Sequence, residues 1–188
     1  MDERLTTQIV EKLDPEKAAD ILEEMAPDAA ADLLGDLSKE TSEELLHEMP
    51  GQEANEVREL LEFDPATAGG MMNTEFVFVG EASARDEVLE WMREQEVNLD
   101  QLDTIVLVDS LAQFSGTVSV ARLLLASPDD RMTELKMEPL LSLSPNADDK
   151  EVFELFDKYN LRMLTVVDKE KRPIGDITVD DVVSSLLK

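Results

Sequence analysis

The chain reads as a two-part α+β protein, a short acidic helical superhelix followed by two tandem β-α-β-β-α repeats. Three observations predict this. Charge is unevenly spread, with 20 acids and 5 bases in the first 64 residues against 24 and 12 in the remaining 124. Leu13, Met25, Leu37, Met49 and Leu61 recur at intervals of 12. Later, Ile105-Val106-Leu107-Val108-Asp109 returns as Leu164-Thr165-Val166-Val167-Asp168 at an offset of 59.

Residues 1–64 are rich in Ala, Leu and Glu and poor in β-branched residues, which favours helix. Leu13-Asp14-Pro15 leads to Ala18-Ala19-Asp20-Ile21-Leu22, and Met25-Ala26-Pro27 leads to Ala30-Ala31-Asp32-Leu33-Leu34. Two looser copies end in Leu45-Leu46 and Leu60-Leu61. Pro15 and Pro27 sit where a first helical turn tolerates proline, and Asp14 is placed to cap. Each unit predicts a helix of two to three turns, too short to stand alone, so the units must stack on their Ala and Leu faces. The acids then point outward.

Residues 65–75 read as a junction, 76–130 as the first β-α-β-β-α repeat and 131–188 as the second. The offset of 59 also carries Gly116 onto Gly175, Ser119 onto Thr178 and Val120 onto Val179. Upstream, Phe76 to Val79 matches Leu140 to Leu143 and Val88 matches Val152 at an offset of 64, so the first copy holds about five extra residues around Glu96 to Asp103. The spacing predicts helices over Ala84 to Val97, Val120 to Ala126, Asp148 to Tyr159 and Asp180 to Leu187. Continuous apolar strands such as 104–109 and 163–168 suit a sheet covered by helices. The nine methionines and Trp91 fall at apolar helical spacings and read as core.

Composition excludes several functions. A formal charge of −27 and the lack of a basic stripe argue against nucleic-acid binding. Zero cysteines rule out disulfides, thiolate zinc sites and a Cys nucleophile. An apolar content of 43% is too high for an acidic disordered tail. No apolar run approaches the roughly 20 residues that span a bilayer, and the start shows no signal peptide, so the chain is expected to be soluble by itself. His47 lies among Glu43, Glu44 and Glu48 without a nucleophile or metal partner, and no P-loop, GxSxG or HExxH pattern occurs. An enzyme is not expected.

Asp28 and Asp32 stand one helical turn apart on one face. Such like charges repel mildly, and a divalent cation shared with a second acidic surface would reverse that sign. Magnesium suits the chemistry, being held by a few oxygens while keeping several waters. From spacing alone the same pair also reads as a solvated acidic face, and Gly69-Gly70 as a simple turn.

Gly175-Asp176-Ile177-Thr178-Val179-Asp180-Asp181-Val182, with its counterpart Gly116 to Leu123, resembles the closing G-x-[IV]-[ST]-x-x-D motif of the CBS (cystathionine-β-synthase) domain. The acidic LDPEKAADIL helix and the junction Asp64-Pro65-Ala66-Thr67-Ala68-Gly69-Gly70-Met71-Met72 resemble the cytosolic N domain and linker of MgtE-type magnesium transporters. The resemblance implies a cytosolic magnesium-sensing regulatory module that compacts on Mg2+ and gates transport by feedback. It maps magnesium ligands onto Asp28, Asp32, the Gly69 carbonyl and Asp181, and a second cluster onto the Asp157 carbonyl and the Asn160 side chain. At this last position the family carries Asp, so one negative charge is missing. The resemblance also implies a homodimer through the CBS pairs. It further implies a transmembrane pore domain beyond Lys188 and a place on the cytoplasmic side of the plasma membrane, the chain being a fragment or a stand-alone relative. The alternative it offers is an adenine-nucleotide sensor in which Thr178 and Asp181 hold the phosphate and ribose of ATP or AMP. In the first copy Arg122 replaces the ribose-binding Asp, leaving at most one such site.

Overall fold

The computed structural model describes residues 3–95, 97 and 102–186. Five helices come first: α1 (Glu3–Val10), α2 (Pro15–Glu23), α3 (Pro27–Gly35), α4 (Lys39–Glu48) and α5 (Gly51–Leu61). Prolines open α2 and α3 after extended residues, as their fixed φ allows. Asp14 stands at the N-cap of α2 but makes no side-chain cap bond, unlike Ser38, whose hydroxyl accepts from Thr41 N–H at 3.2 Å to start α4. Helices of 8 to 11 residues are marginal alone, so packing decides. Each helix stacks mainly on its next-but-one neighbour, α2 on α4 and α3 on α5, which winds the run into a superhelix. Ala18, Leu22, Ala30, Leu34, Leu45, Leu46, Ala54 and Val57 fill its axis, with Leu37 and Met49 buried and Leu13, Met25 and Leu61 packed alongside.

A short helix α6 (Ala68–Met71) follows, capped by Thr67, whose hydroxyl accepts from Gly70 N–H at 3.4 Å. The junction is tied to the second repeat. Ala68 N–H donates to Ala147 O and Gly69 N–H to Pro145 O, both at 2.8 Å, and Asn73 exchanges backbone bonds with Asp176.

The first repeat runs β1 (Phe78–Gly80), α7 (Arg85–Glu94), β2 (Thr104–Val108), β3 (Phe114–Ser119) and α8 (Val120–Leu125). A 3-10 turn (Met132–Leu135), not foreseen from the sequence, leads to the second: β4 (Ser142–Leu143), α9 (Asp149–Tyr159), β5 (Met163–Val167), β6 (Pro173–Thr178) and α10 (Val179–Leu186). Both sheets share one topology, first strand parallel to the second and the second antiparallel to the third. Even the register break recurs, between Leu107 and Val108 and again between Val166 and Val167.

Some expected elements shrink. β1 starts at Phe78 rather than Phe76, β4 keeps two residues, and α7 stops at Glu94 rather than Val97. Most of the expected insertion at Glu96 to Asp103 lies outside the described residues. Trp91 is not core: Val88 alone is buried on α7, Leu89 and Met92 are half-buried, and the indole is 39% exposed. Among the methionines, Met49, Met71, Met72 and Met132 are buried as expected. Among the described residues no helix is long and apolar enough to cross a membrane.

Candidate metal centre

Strand β6 alternates its faces. Gly175 and Ile177 turn toward the core shared with α9 and α10, so Asp176 and Thr178 stand on the opposite face. Asp181 lies in the first turn of α10 and closes a reciprocal cap with Thr178. Its Oδ2 accepts from the Thr178 backbone N–H at 2.7 Å and hydroxyl at 2.8 Å, while Thr178 Oγ1 accepts from Asp181 N–H at 3.5 Å. The cap fixes where the carboxylate points, and Oδ1 takes no part in it. These bonds favour the charged form, but burial outweighs them and raises the Asp181 pKa.

Helix α3 reaches this place because Ala31 packs against the hydrophobic cluster of the second repeat. One turn earlier on α3, Asp28 lies within reach of the charge of Asp181. Burial, then the charge of Asp181, pushes the Asp28 carboxyl up to about 6. Its Oδ1 is sealed from solvent with no hydrogen-bond partner. Buried polar atoms are nearly always partnered, so such an oxygen fits a cation or a water carried by one. Asp32, exposed on the next turn, adds its charge to both Asp28 and Asp181.

A third carboxylate stands here. Burial first, then Asp181 and Asp28, push Asp176 up to about 7. Ionising groups shifted this far costs on the order of a few kcal/mol each relative to water. The sequence held a signal, since Asp176 replaces the neutral Thr117 of the first repeat at the offset of 59. The residue occupies a variable position of the closing motif, which by itself gives it no weight.

Among the described residues no three Asp, Glu, His or Cys side chains are arranged as a metal cage. Carboxylates from three elements, α3, β6 and α10, act on one another here, a lining that suits an ion retaining several waters rather than a closed protein cage. Gly69 lies in α6, which packs on α5, α10 and β6. A Cβ there would stand 2.5 Å from the Phe63 ring, so close packing rather than a turn requires this glycine. Asp157 and Asn160 are exposed at the end of α9. Asn160 caps that helix in the left-handed conformation (φ 49°, ψ 48°), a role asparagine fills readily. The principal charges acting on Asp28, Asp176 and Asp181 come from each other, Asp32 and Asp180, not from Asp157.

Comparison with known proteins follows the same division. Residues 1–66 match the MgtE intracellular N domain and residues 132–188 the CBS domain. The crystal structure of the soluble part of a magnesium transporter superposes with a TM-score of 0.90 at 26% identity, covering 98% of this chain and 72% of that one. The chain combines a segment that matches the MgtE intracellular N domain with one that matches the CBS domain, on the fold of a magnesium transporter's soluble part. The magnesium transporter MgtE of Thermus thermophilus is 33% identical over 131 residues, 70% of this chain and 29% of the transporter. The chain thus spans less than a third of the curated relatives it matches. A second solved neighbour, the cytosolic domain of the Mg2+ channel MgtE in complex with ATP, has a TM-score of 0.83 at 29% identity, covering 95% of this chain and 78% of that one.

Proposed function

We propose that this chain is the cytoplasmic magnesium-sensing module of a magnesium transporter. The observation that carries the reading is Asp28 of the N domain within reach of the charge of Asp181 of the second CBS repeat, with a sealed and unpaired carboxylate oxygen between two acidic elements. Without a divalent ion the two acidic surfaces repel and the N domain separates from the CBS pair. Magnesium, held by Asp28, Asp32, Asp181 and the Gly69 carbonyl, reverses the sign of that interaction and closes the module. Two unit charges at about 4 Å interact by ~1 kcal/mol in water and several-fold more near a protein surface, enough in combination to shift a two-state equilibrium. In a whole transporter, the closed module would hold the pore domain shut and so limit uptake. Asp157 and Asn160 would hold a second, weaker ion.

The module is a homodimer in this reading. Trp91 of α7 (39% exposed), Leu124 and Leu125 of α8 (62% and 90%) and Val183 and Leu186 of α10 (49% and 63%) leave apolar surface that a second CBS pair would cover. The chain performs no catalysis: its motifs fit a regulatory fold, and His47 sits exposed in the last turn of α4. The test is small-angle scattering with thermal unfolding, in millimolar magnesium against EDTA with potassium chloride at matched ionic strength. Compaction and a higher Tm specific to magnesium, lost in Asp28→Ala/Asp32→Ala, are the expected result. An equal response to both salts would sink the reading.

Adenine nucleotide is the second reading, favoured by the ATP complex of the similar MgtE domain and by the Thr178–Asp181 pair. Calorimetric titration with ATP and AMP against Asp181→Ala separates it from the first.

A further inference from the structure

Three buried polar atoms without partners lie on the segments that interact with Asp176 or adjoin its backbone partner. Asp28 Oδ1 is the first. Thr165 is fully buried at 0% exposure, and its Oγ1 has no hydrogen-bond partner. It sits directly opposite Asp176 across the β5–β6 ladder. Residues facing each other in an antiparallel pair project to the same side, with Cβ atoms about 5 Å apart. The Thr165 hydroxyl is therefore aimed at the face that holds Asp176 and Thr178, not into the aliphatic core formed by Leu164, Val166 and Ile177. The third atom is Thr74 Oγ1, next to Asn73, whose backbone pairs with Asp176 through bonds of 2.8 and 3.0 Å.

Unpaired hydroxyls beside carboxylates are the lining expected around a hydrated ion. Coordinated waters donate to carboxylates, and each hydroxyl can accept from or donate to the same shell. A magnesium ion uses only one or two protein carboxylates directly and keeps the rest of its waters. It has room for a third carboxylate at one water's remove.

We propose that Asp176, with Thr165, forms the inner wall of the magnesium seat, gripping the ion's water shell while Asp28 and Asp181 approach the ion itself. This rests on the magnesium-sensing reading and deepens it by naming a residue that the resemblance does not supply. The first repeat carries no such wall: the positions of Thr165 and Asp176 are Val106 and Thr117 there.

The test is calorimetric titration of the full chain with magnesium chloride at constant ionic strength, paired with melting curves in EDTA and in magnesium. Asp176→Asn should weaken magnesium binding about tenfold, the effect of roughly 1.4 kcal/mol of lost charge attraction. It should also raise the Tm in EDTA, because one member of a repelling trio is removed, while shrinking the rise that magnesium gives. A residue that merely supports the fold would lower the Tm in both conditions. Thr165→Val, which copies the first repeat, keeps the fold's packing and should weaken binding by a smaller factor. Should Asp176→Asn fail to fold, Thr165→Val alone decides. Normal magnesium binding in wild type, loss in Asp28→Asn, and full binding in Asp176→Asn and Thr165→Val would overturn this proposal and leave the sensor reading standing. No magnesium-specific binding by wild type would overturn both.

Discussion

The two CBS repeats share topology, register and even the position of a strand irregularity, yet their clefts are closed by opposite means. The first is closed by its own chain. Arg122 donates to Lys136 O at 2.7 Å and Leu135 O at 3.2 Å, pinning the 3-10 turn to α8, and Lys136 pairs with Glu81 at 2.6 Å. The second has Asp181 where the first has Arg122, and it is covered by the acidic helix α3 and the junction. A cationic clamp satisfies itself. A carboxylate facing more carboxylates does not, so the second cleft needs something from outside. One fold thus supplies a half closed by its own cationic clamp and a half closed by an acidic cover, and the difference comes down to a few residues on β5, β6 and α10.

If the second repeat depends on its cover, wedging that cover away should have the largest effect. A Cβ at Gly175 would stand 2.8 Å from Asn73 O and 2.9 Å from Met72 Sδ, so an alanine pushes the junction off β6. Gly175→Ala is expected to destabilise by about 2–3 kcal/mol, the range of overpacking in a tight core. That corresponds to a fall in Tm of roughly 5–10 °C for a chain of this size. The magnesium-induced rise in Tm should fall with it. A Tm within about 1 °C of wild type would show that the junction does not clamp this repeat.

Proton dependence separates the repeats next. Asp28 is pushed up to about 6 and Asp176 to about 7, from an ordinary 3.8. Asp181, Asp32 and Asp180 add their charges to the same place. A carboxyl whose pKa is raised on folding lends stability below its unfolded value, and that stability is lost as pH climbs through the folded value. In EDTA, the chain should therefore lose stability between about pH 4 and pH 7. Asp176→Asn should flatten that loss by about 2 kcal/mol, after discounting for solvent at the half-buried site. Thr117 of the first repeat cannot contribute. Parallel pH profiles for wild type and variant, read by chemical denaturation, would contradict the arrangement of the trio.

The fold was legible because repetition is visible in sequence. The 12-residue anchors gave the superhelix, and the offset of 59 aligned two sheets that agree residue for residue in register. Local endings were less visible. Asp14 occupies a cap position without bonding, since the proline at N1 already sets the entry of α2. Trp91 follows helical spacing but lies on the rim of its stripe. At the candidate site, spacing singles out Asp28 and Asp32, and Asp181 enters by resemblance alone. Asp176 shows in the sequence only as a departure from Thr117 at the offset of 59; that its carboxyl is buried within reach of the charges of Asp28 and Asp181 is a tertiary fact that no local pattern records. Asn160 reads as a ligand by resemblance, while its left-handed backbone already gives it a capping role.

The smallest expected effect bears most directly on the contrast between the repeats. Arg122→Asp installs in the first repeat the residue that the second carries at the same offset. The variant loses two hydrogen bonds from the guanidinium to backbone carbonyls, each worth about 1 kcal/mol at a partly exposed site, so the Tm should fall by only a few degrees. The new carboxylate could form the reciprocal cap with Ser119, whose hydroxyl already accepts from the residue 122 backbone N–H at 3.3 Å. It would still face Val106 and Thr117 rather than a buried hydroxyl and a third acid, and among the described residues no N-domain side chain packs against the core of that repeat. Calorimetry should therefore show no added magnesium equivalent. If one appeared, the cap carboxylate alone would make the seat, and the contribution assigned to α3 and to Asp176 would have to be withdrawn.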